Sequence, residues 1–71
     1  MVWKYNPEDY DEVLAEYMTK AYRAYEAGNN SLYECICTLI SAELKTAWKS
    51  GMLTQSQANE MDDYFWRYVA C

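Results

Sequence analysis

Cys35 and Cys37 are the residues whose type and spacing most invite a chemical reading. Two apart on a helix they point about 200° away from each other, so they neither chelate one ion nor close a disulfide. They read as small apolar residues at the edge of a core. The chain has no histidine, which removes the imidazole base, the Cys–His and Ser–His pairs and the commonest metal ligand. No enzymatic activity, cofactor or metal site is expected. The third cysteine, Cys71, comes back beside Cys35 or Cys37 if a last helix runs antiparallel to the middle one. A reducing compartment argues against a bridge there.

Binding chemistry is better represented. Gln55, Ser56, Gln57 and Asn59 are side chains that can read base edges and follow a short turn, as in a helix-turn-helix. Glu60, Asp62 and Asp63 on the same helix, against Arg67 alone, would repel phosphates. Trp66 projects about 100° away from Phe65, beside Asn59, Asp62 and Asp63. A tryptophan ringed by polar groups has the profile of a protein-binding hot spot. The competing reading has Trp3 or Tyr5 of the N-terminal arm fold back over it. Glu8, Glu12 and Glu16, with Asp9, form an acidic row that either complements a helix dipole in solvent or imitates a run of phosphates. Glu43 falls within an apolar face, between Leu39 and Ile36, where an unpaired carboxylate is costly. The expected partners are phenols, Tyr10, Tyr17 or Tyr64, which would make it a structural polar residue that fixes helix packing.

The elements that position these residues follow from punctuation and period. The segment Ser31 to Ser50 is the most apolar. At about 100° per residue its Leu32, Tyr33, Ile36, Cys37, Leu39, Ile40, Leu44, Ala47 and Trp48 fan over half the circumference, which suits a helix held between two others. Before it, the arm MVWKY leads to Asn6 and Pro7, a cap and first helical position. Helix one follows, with Tyr10, Val13, Leu14, Tyr17, Met18, Ala21, Ala24 and Tyr25 inward and Glu12, Glu16, Lys20 and Arg23 outward. Gly28 is its stop. Ser31 with Glu34, and Thr54 with Gln57, are spaced as capping boxes for helices two and three, and Gly51 ends helix two. Helix three buries Ala58, Met61, Tyr64, Phe65, Tyr68 and Val69. Connections this short favour antiparallel neighbours. The expectation is one all-α domain over 1–71, a compact antiparallel three-helix bundle with helices over about 7–27, 31–50 and 55–70 and a short apolar arm.

Composition agrees. The chain is 52% apolar and 17% aromatic in 71 residues, far from the signature of disorder, but so short that every large side chain counts. Six basic against eleven acidic residues give a net charge of −5, which disfavours direct contact with nucleic acid or anionic lipid. A signal peptide and an 18-residue apolar run are both missing, so a cytoplasmic protein without a membrane partner is expected.

The stretch Gly51, then Met52-Leu53-Thr54, then Gln57-Ala58 opening an acidic and aromatic helix, resembles short phage or mobile-element accessory proteins, among them anti-CRISPR and other anti-defence inhibitors. The resemblance covers about the last third of the chain and carries over no functional residue. It implies a non-catalytic protein that binds and occludes a larger machine. The expected function is therefore a small acidic protein-binding module, an inhibitor or adaptor whose partner is a protein, including one that itself binds nucleic acid. The alternatives are a helix-turn-helix DNA-binding regulator and a self-associating module, a homodimer through leftover aromatic surface.

Overall fold

The computed structural model describes residues 3–69 and bears out the all-α reading. Pro7–Asp9 form a single 3-10 turn, followed by α1 (Glu12–Glu26), α2 (Asn30–Lys49) and α3 (Gln55–Trp66). Both turns between helices close by the same backbone device. Asn29 N–H reaches Ala24 O at 2.9 Å and Gly28 N–H reaches Tyr25 O at 3.0 Å; Met52 N–H reaches Ala47 O at 2.9 Å and Gly51 N–H reaches Trp48 O at 3.1 Å. This pair of hydrogen bonds needs a left-handed residue at its centre. Gly28 and Gly51 supply it, with φ of 74° and 83°.

The helix starts divide into one that follows the sequence expectation and two that shift. Thr54 and Gln57 form the full reciprocal capping box. At α2, by contrast, the cap is Asn29, whose Oδ1 accepts the Leu32 N–H at 3.2 Å. Ser31 and Glu34 already lie inside the helix, because the amide side chain comes directly after the left-handed Gly28 and reaches the free N–H groups first. Asn6 does cap Pro7, through Glu8 N–H at 3.0 Å, but the turn it starts ends at Tyr10, which is extended. Helix one proper begins only after Asp11. At the other end α3 stops at Trp66. Arg67 caps it, and single-turn bonds from Tyr68 to Phe65 and from Val69 to Trp66 follow.

α2 packs against both other helices, whereas no Cα of α1 comes within 8 Å of one in α3. The central-helix reading holds, and its consequence is an open groove between the outer two. The arm fills that groove. Trp3 lies on Tyr22 with ring centroids 4.1 Å apart and meets the edges of Tyr25 and Tyr68. Tyr5 contacts Tyr10, Tyr64 and Phe65. Polar contacts pin the backbone between them. Lys4 N–H donates to the Tyr64 hydroxyl at 3.0 Å, and the Tyr22 hydroxyl donates to Tyr5 O at 2.7 Å. Outside, Lys4 Nζ lies 2.6 Å from Glu60 Oε1.

Beneath the arm the core is Leu14, Met18, Ala21 and Tyr22 of α1, Tyr33, Ile36, Cys37, Ile40 and Leu44 of α2, and Ala58, Met61 and Phe65 of α3. Tyr22 is a core residue that the heptad-like reading of helix one passes over; it sits on the side turned to the arm. Tyr33 is fully buried and donates to Phe65 O at 2.8 Å. Leu32, Leu39 and Trp48, read as part of the central fan, are instead 46, 44 and 38% exposed, as is Val13 at 44%. Two neighbouring helices cover only the middle of the fan and leave its margins in solvent.

Candidate functional site

The side chains singled out around α3 form one cluster, although not the one expected. Trp66 is half-buried and packs against the core. Its indole N–H donates to Ser41 Oγ of α2 at 2.7 Å. The Ser41 hydroxyl in turn donates to the carboxylate of Asp62. Trp66 and Asp62 stand one turn apart on α3, so both reach Ser41 across the helix interface. A relay of N–H to O–H to carboxylate strengthens each bond in it. Trp66 is thus half-buried and held to α2 rather than freely exposed, and the arm does not cover it, since the arm's rings go to Tyr22 and Phe65. It is a clamp between two helices. Asn59 and Asp63 remain exposed.

Asp62 and Asn59 also line the far wall of a groove of about 480 Å³ between α2 and α3. The α2 wall of that groove is Lys45, Trp48 and Lys49, with Ser41 and Leu44 at its base. The i, i+3, i+4 spacing of 45, 48 and 49 puts these three on one face. Neither lysine has an ion pair among the described residues, and Trp48 is 38% exposed between them. Sequence reasoning assigned Trp48 to the core because it lies at the margin of the apolar fan. Its flanking lysines were the available signal that this margin meets solvent.

The acidic row does assemble. Glu8, Glu12 and Glu16 are exposed and line one shallow surface along the 3-10 turn and α1, which continues into Thr19, Lys20 and Arg23. Lys20 Nζ pairs with Glu16 Oε1 at 2.9 Å, the expected one-turn pair. The row therefore runs from three carboxylates into two cations and is not uniformly negative.

Glu43 is half-buried and makes no hydrogen bond or ion pair among the described residues. The phenol contacts expected for it do not form. Tyr64 is spent on Lys4, and Tyr10 turns toward Tyr5. Cys35 is exposed and Cys37 buried, both as free thiols. Cys37 Sγ leans on Phe65 O at 3.7 Å, and burial pushes its thiol up to about 11. Cys71, and with it any approach to Cys35 or Cys37, lies outside the described residues, as does Ala70. Among the described residues no three Cys, Asp or Glu side chains converge as a metal ion would require, and no helix is long and apolar enough to cross a membrane.

No protein-family model, curated protein or solved structure matches the chain.

Proposed function

We propose that the protein is a small non-enzymatic protein-binding module, an inhibitor or adaptor that occludes part of a larger assembly, and that the α2/α3 groove is its contact surface. The observation that carries this reading is Trp48, half in solvent between Lys45 and Lys49, which have no carboxylate partner among the described residues of a chain that is otherwise acidic. A tryptophan anchor flanked by charge with no internal counterpart suits a protein segment bearing both an apolar group and carboxylates. Asn59 offers amide hydrogen bonds across the groove. A phage anti-defence role is the form of this proposal that the resemblance of the Gly51–Ala58 stretch suggests.

A second reading, a basic nucleic-acid-binding protein held by Glu8, Glu12 and Glu16, is favoured by the exposure of that row on one face. The two readings separate by mutation. Affinity purification from source cells, followed by measurement of the recovered partner's Kd, should show Trp48→Ala weakening binding by about 2 kcal/mol. Charge reversal at Glu8, Glu12 and Glu16 should leave that Kd unchanged. The opposite pattern favours the acidic row. Strong, salt-sensitive binding of the purified chain to random duplex DNA would overturn both and favour the DNA-regulator alternative.

A further inference from the structure

The opposite edge of α2 carries a second uncovered surface. Leu32 and Leu39, two turns apart on α2, flank a cleft of about 460 Å³ whose opposite wall is Ala24 of α1 and Ala27 just past its end, bordered by Lys20 and Arg23. Leu32 is 46% exposed and Leu39 44%. Val13, also 44% exposed, lies eleven residues before Ala24 and so on the same side of α1. Single exposed aliphatic residues are ordinary, but Leu32 and Leu39 share one cleft, and Val13 stands farther along the same side of α1, beyond Lys20.

What covers this surface is indicated by charge. The outer face of α1 steps through Glu12, Glu16, Lys20 and Arg23, acid in its first half and base in its second. Such a face is complementary to itself when reversed. Two α1 helices placed antiparallel about an axis near Tyr17 and Met18 set Glu12 against Arg23 of the other copy and Glu16 against its Lys20. A parallel arrangement would set like against like. Arg23 has no ion pair within the chain among the described residues, and the Glu16–Lys20 pair is exposed enough to exchange partners. Glu43 adds to this. It stands one turn beyond Leu39 on the same edge of α2, half-buried and unpaired. Because α2 runs antiparallel to α1, that position lies toward the Glu12–Glu16 half of α1, which the reversed second helix would face with its basic half.

We infer that two copies of this chain associate about a two-fold axis through the α1/α2 seam, with Val13, Leu32 and Leu39 as the apolar centre and Glu12–Arg23 and Glu16–Lys20 pairs at the rim. An isologous contact of this kind uses one patch twice and closes on itself. It leaves the α2/α3 groove, on the other side of α2, free for a different partner.

Sedimentation equilibrium of the full chain from about 5 to about 500 µM tests this, since association is read as a concentration-dependent mass. The wild type should pass from monomer to dimer, and raised salt should weaken the dimer. Leu39→Asp should keep the helical circular dichroism and remain monomeric throughout. Glu12→Arg and Arg23→Glu should each raise the dimer Kd by at least about tenfold, and the double variant should recover to within about threefold of wild type. Trp48→Ala should leave the dimer unchanged, so failure here is distinct from failure of the groove. A wild type that is monomeric to the top of the range overturns the proposal. A dimer that survives Leu39→Asp, or a double variant that does not recover, overturns it as well.

Discussion

The ring of Trp3 lies on that of Tyr22 with centroids 4.1 Å apart and planes 17° from parallel, which joins a residue ahead of all the helices to the inner face of α1. Trp3 also meets Tyr68 beyond the end of α3, so a single side chain bridges two helices whose backbones stay apart and which otherwise meet through rings such as Tyr22 on Phe65. Trp3→Ala removes three ring contacts and should cost about 2 to 4 kcal/mol. Thermal unfolding followed by circular dichroism measures it. A melting temperature equal to that of wild type would show that the arm is dispensable.

The Trp66–Ser41–Asp62 relay gives a second expectation. Ser41→Ala strands an indole N–H and a half-buried carboxylate together and should destabilise by about 1 to 3 kcal/mol. Trp66→Ala should likewise lower the melting temperature, through loss of packing as well as of the bond. If both variants melt like wild type, the relay contributes nothing and Trp66 regains its claim as a surface anchor.

The strap on the outside of the arm responds to pH in a definite direction. The Lys4 ammonium, hydrogen-bonded to Glu60, holds that carboxyl below its usual range, and Glu60 raises Lys4 above its own. A depressed carboxyl pKa contributes stability that is present above the unfolded value and is lost as pH falls through the folded one. A raised lysine contributes stability that is present below its unfolded value and is lost as pH rises through the folded one. The pair should therefore add to the arm's docking between the carboxylate and ammonium ranges and loosen it slightly at both extremes, the rings of Trp3 and Tyr5 still holding it. Both side chains are exposed to solvent, so added salt should shrink the effect. Fluorescence of Trp3 in a Trp48→Phe, Trp66→Phe background, titrated alongside Glu60→Gln, reads this; the variant should lack the acid-side transition.

The two described cysteines should react at very different rates. In a Cys71→Ser background at pH 8, Cys35 should be alkylated readily, whereas Cys37, with its thiol pushed up to about 11 and its side chain enclosed, should have a thiolate fraction on the order of one in a thousand. Mass spectrometry after a short exposure should find one adduct in the native protein and two in denaturant. Two adducts without denaturant would mean that the core around Phe65 opens freely.

Much of this fold is legible in the chain because its signals are local. Gly28, Gly51 and the Thr54–Gln57 box each act within a few residues, and each is where the sequence puts it. The choice between Asn29 and Ser31 as cap is harder, since both types serve and only the geometry after Gly28 decides. The site was less legible. Periodicity places Trp48 and Trp66 at margins of apolar faces, but which margin is covered depends on neighbours far away in sequence. Ser41, a small polar residue on the α3 side of α2, draws Trp66 inward, and nothing covers Trp48. Glu43 shows the same limit: the period puts it within the apolar face, whereas it is half-buried, and of the phenols expected to satisfy it Tyr64 and Tyr10 are engaged by the arm while Tyr17 makes no bond to it. The arm itself has no period to read, and the Lys4–Tyr64 hydrogen bond joins residues 60 apart.

That separation bears on the order in which the molecule assembles. The α1–α2 and α2–α3 hairpins close over short turns, and such contacts form early because little chain entropy is lost in making them. The arm cannot find its place until both hairpins stand, because its groove is made of Tyr22 from one and Tyr64 and Phe65 from the other. Docking of Trp3 and Tyr5 is then the late event, with a transition state in which the helices are formed and the arm is not. Substitutions in the arm should speed unfolding while leaving the folding rate nearly unchanged, so this short strap governs how long the native protein persists more than how fast it is reached.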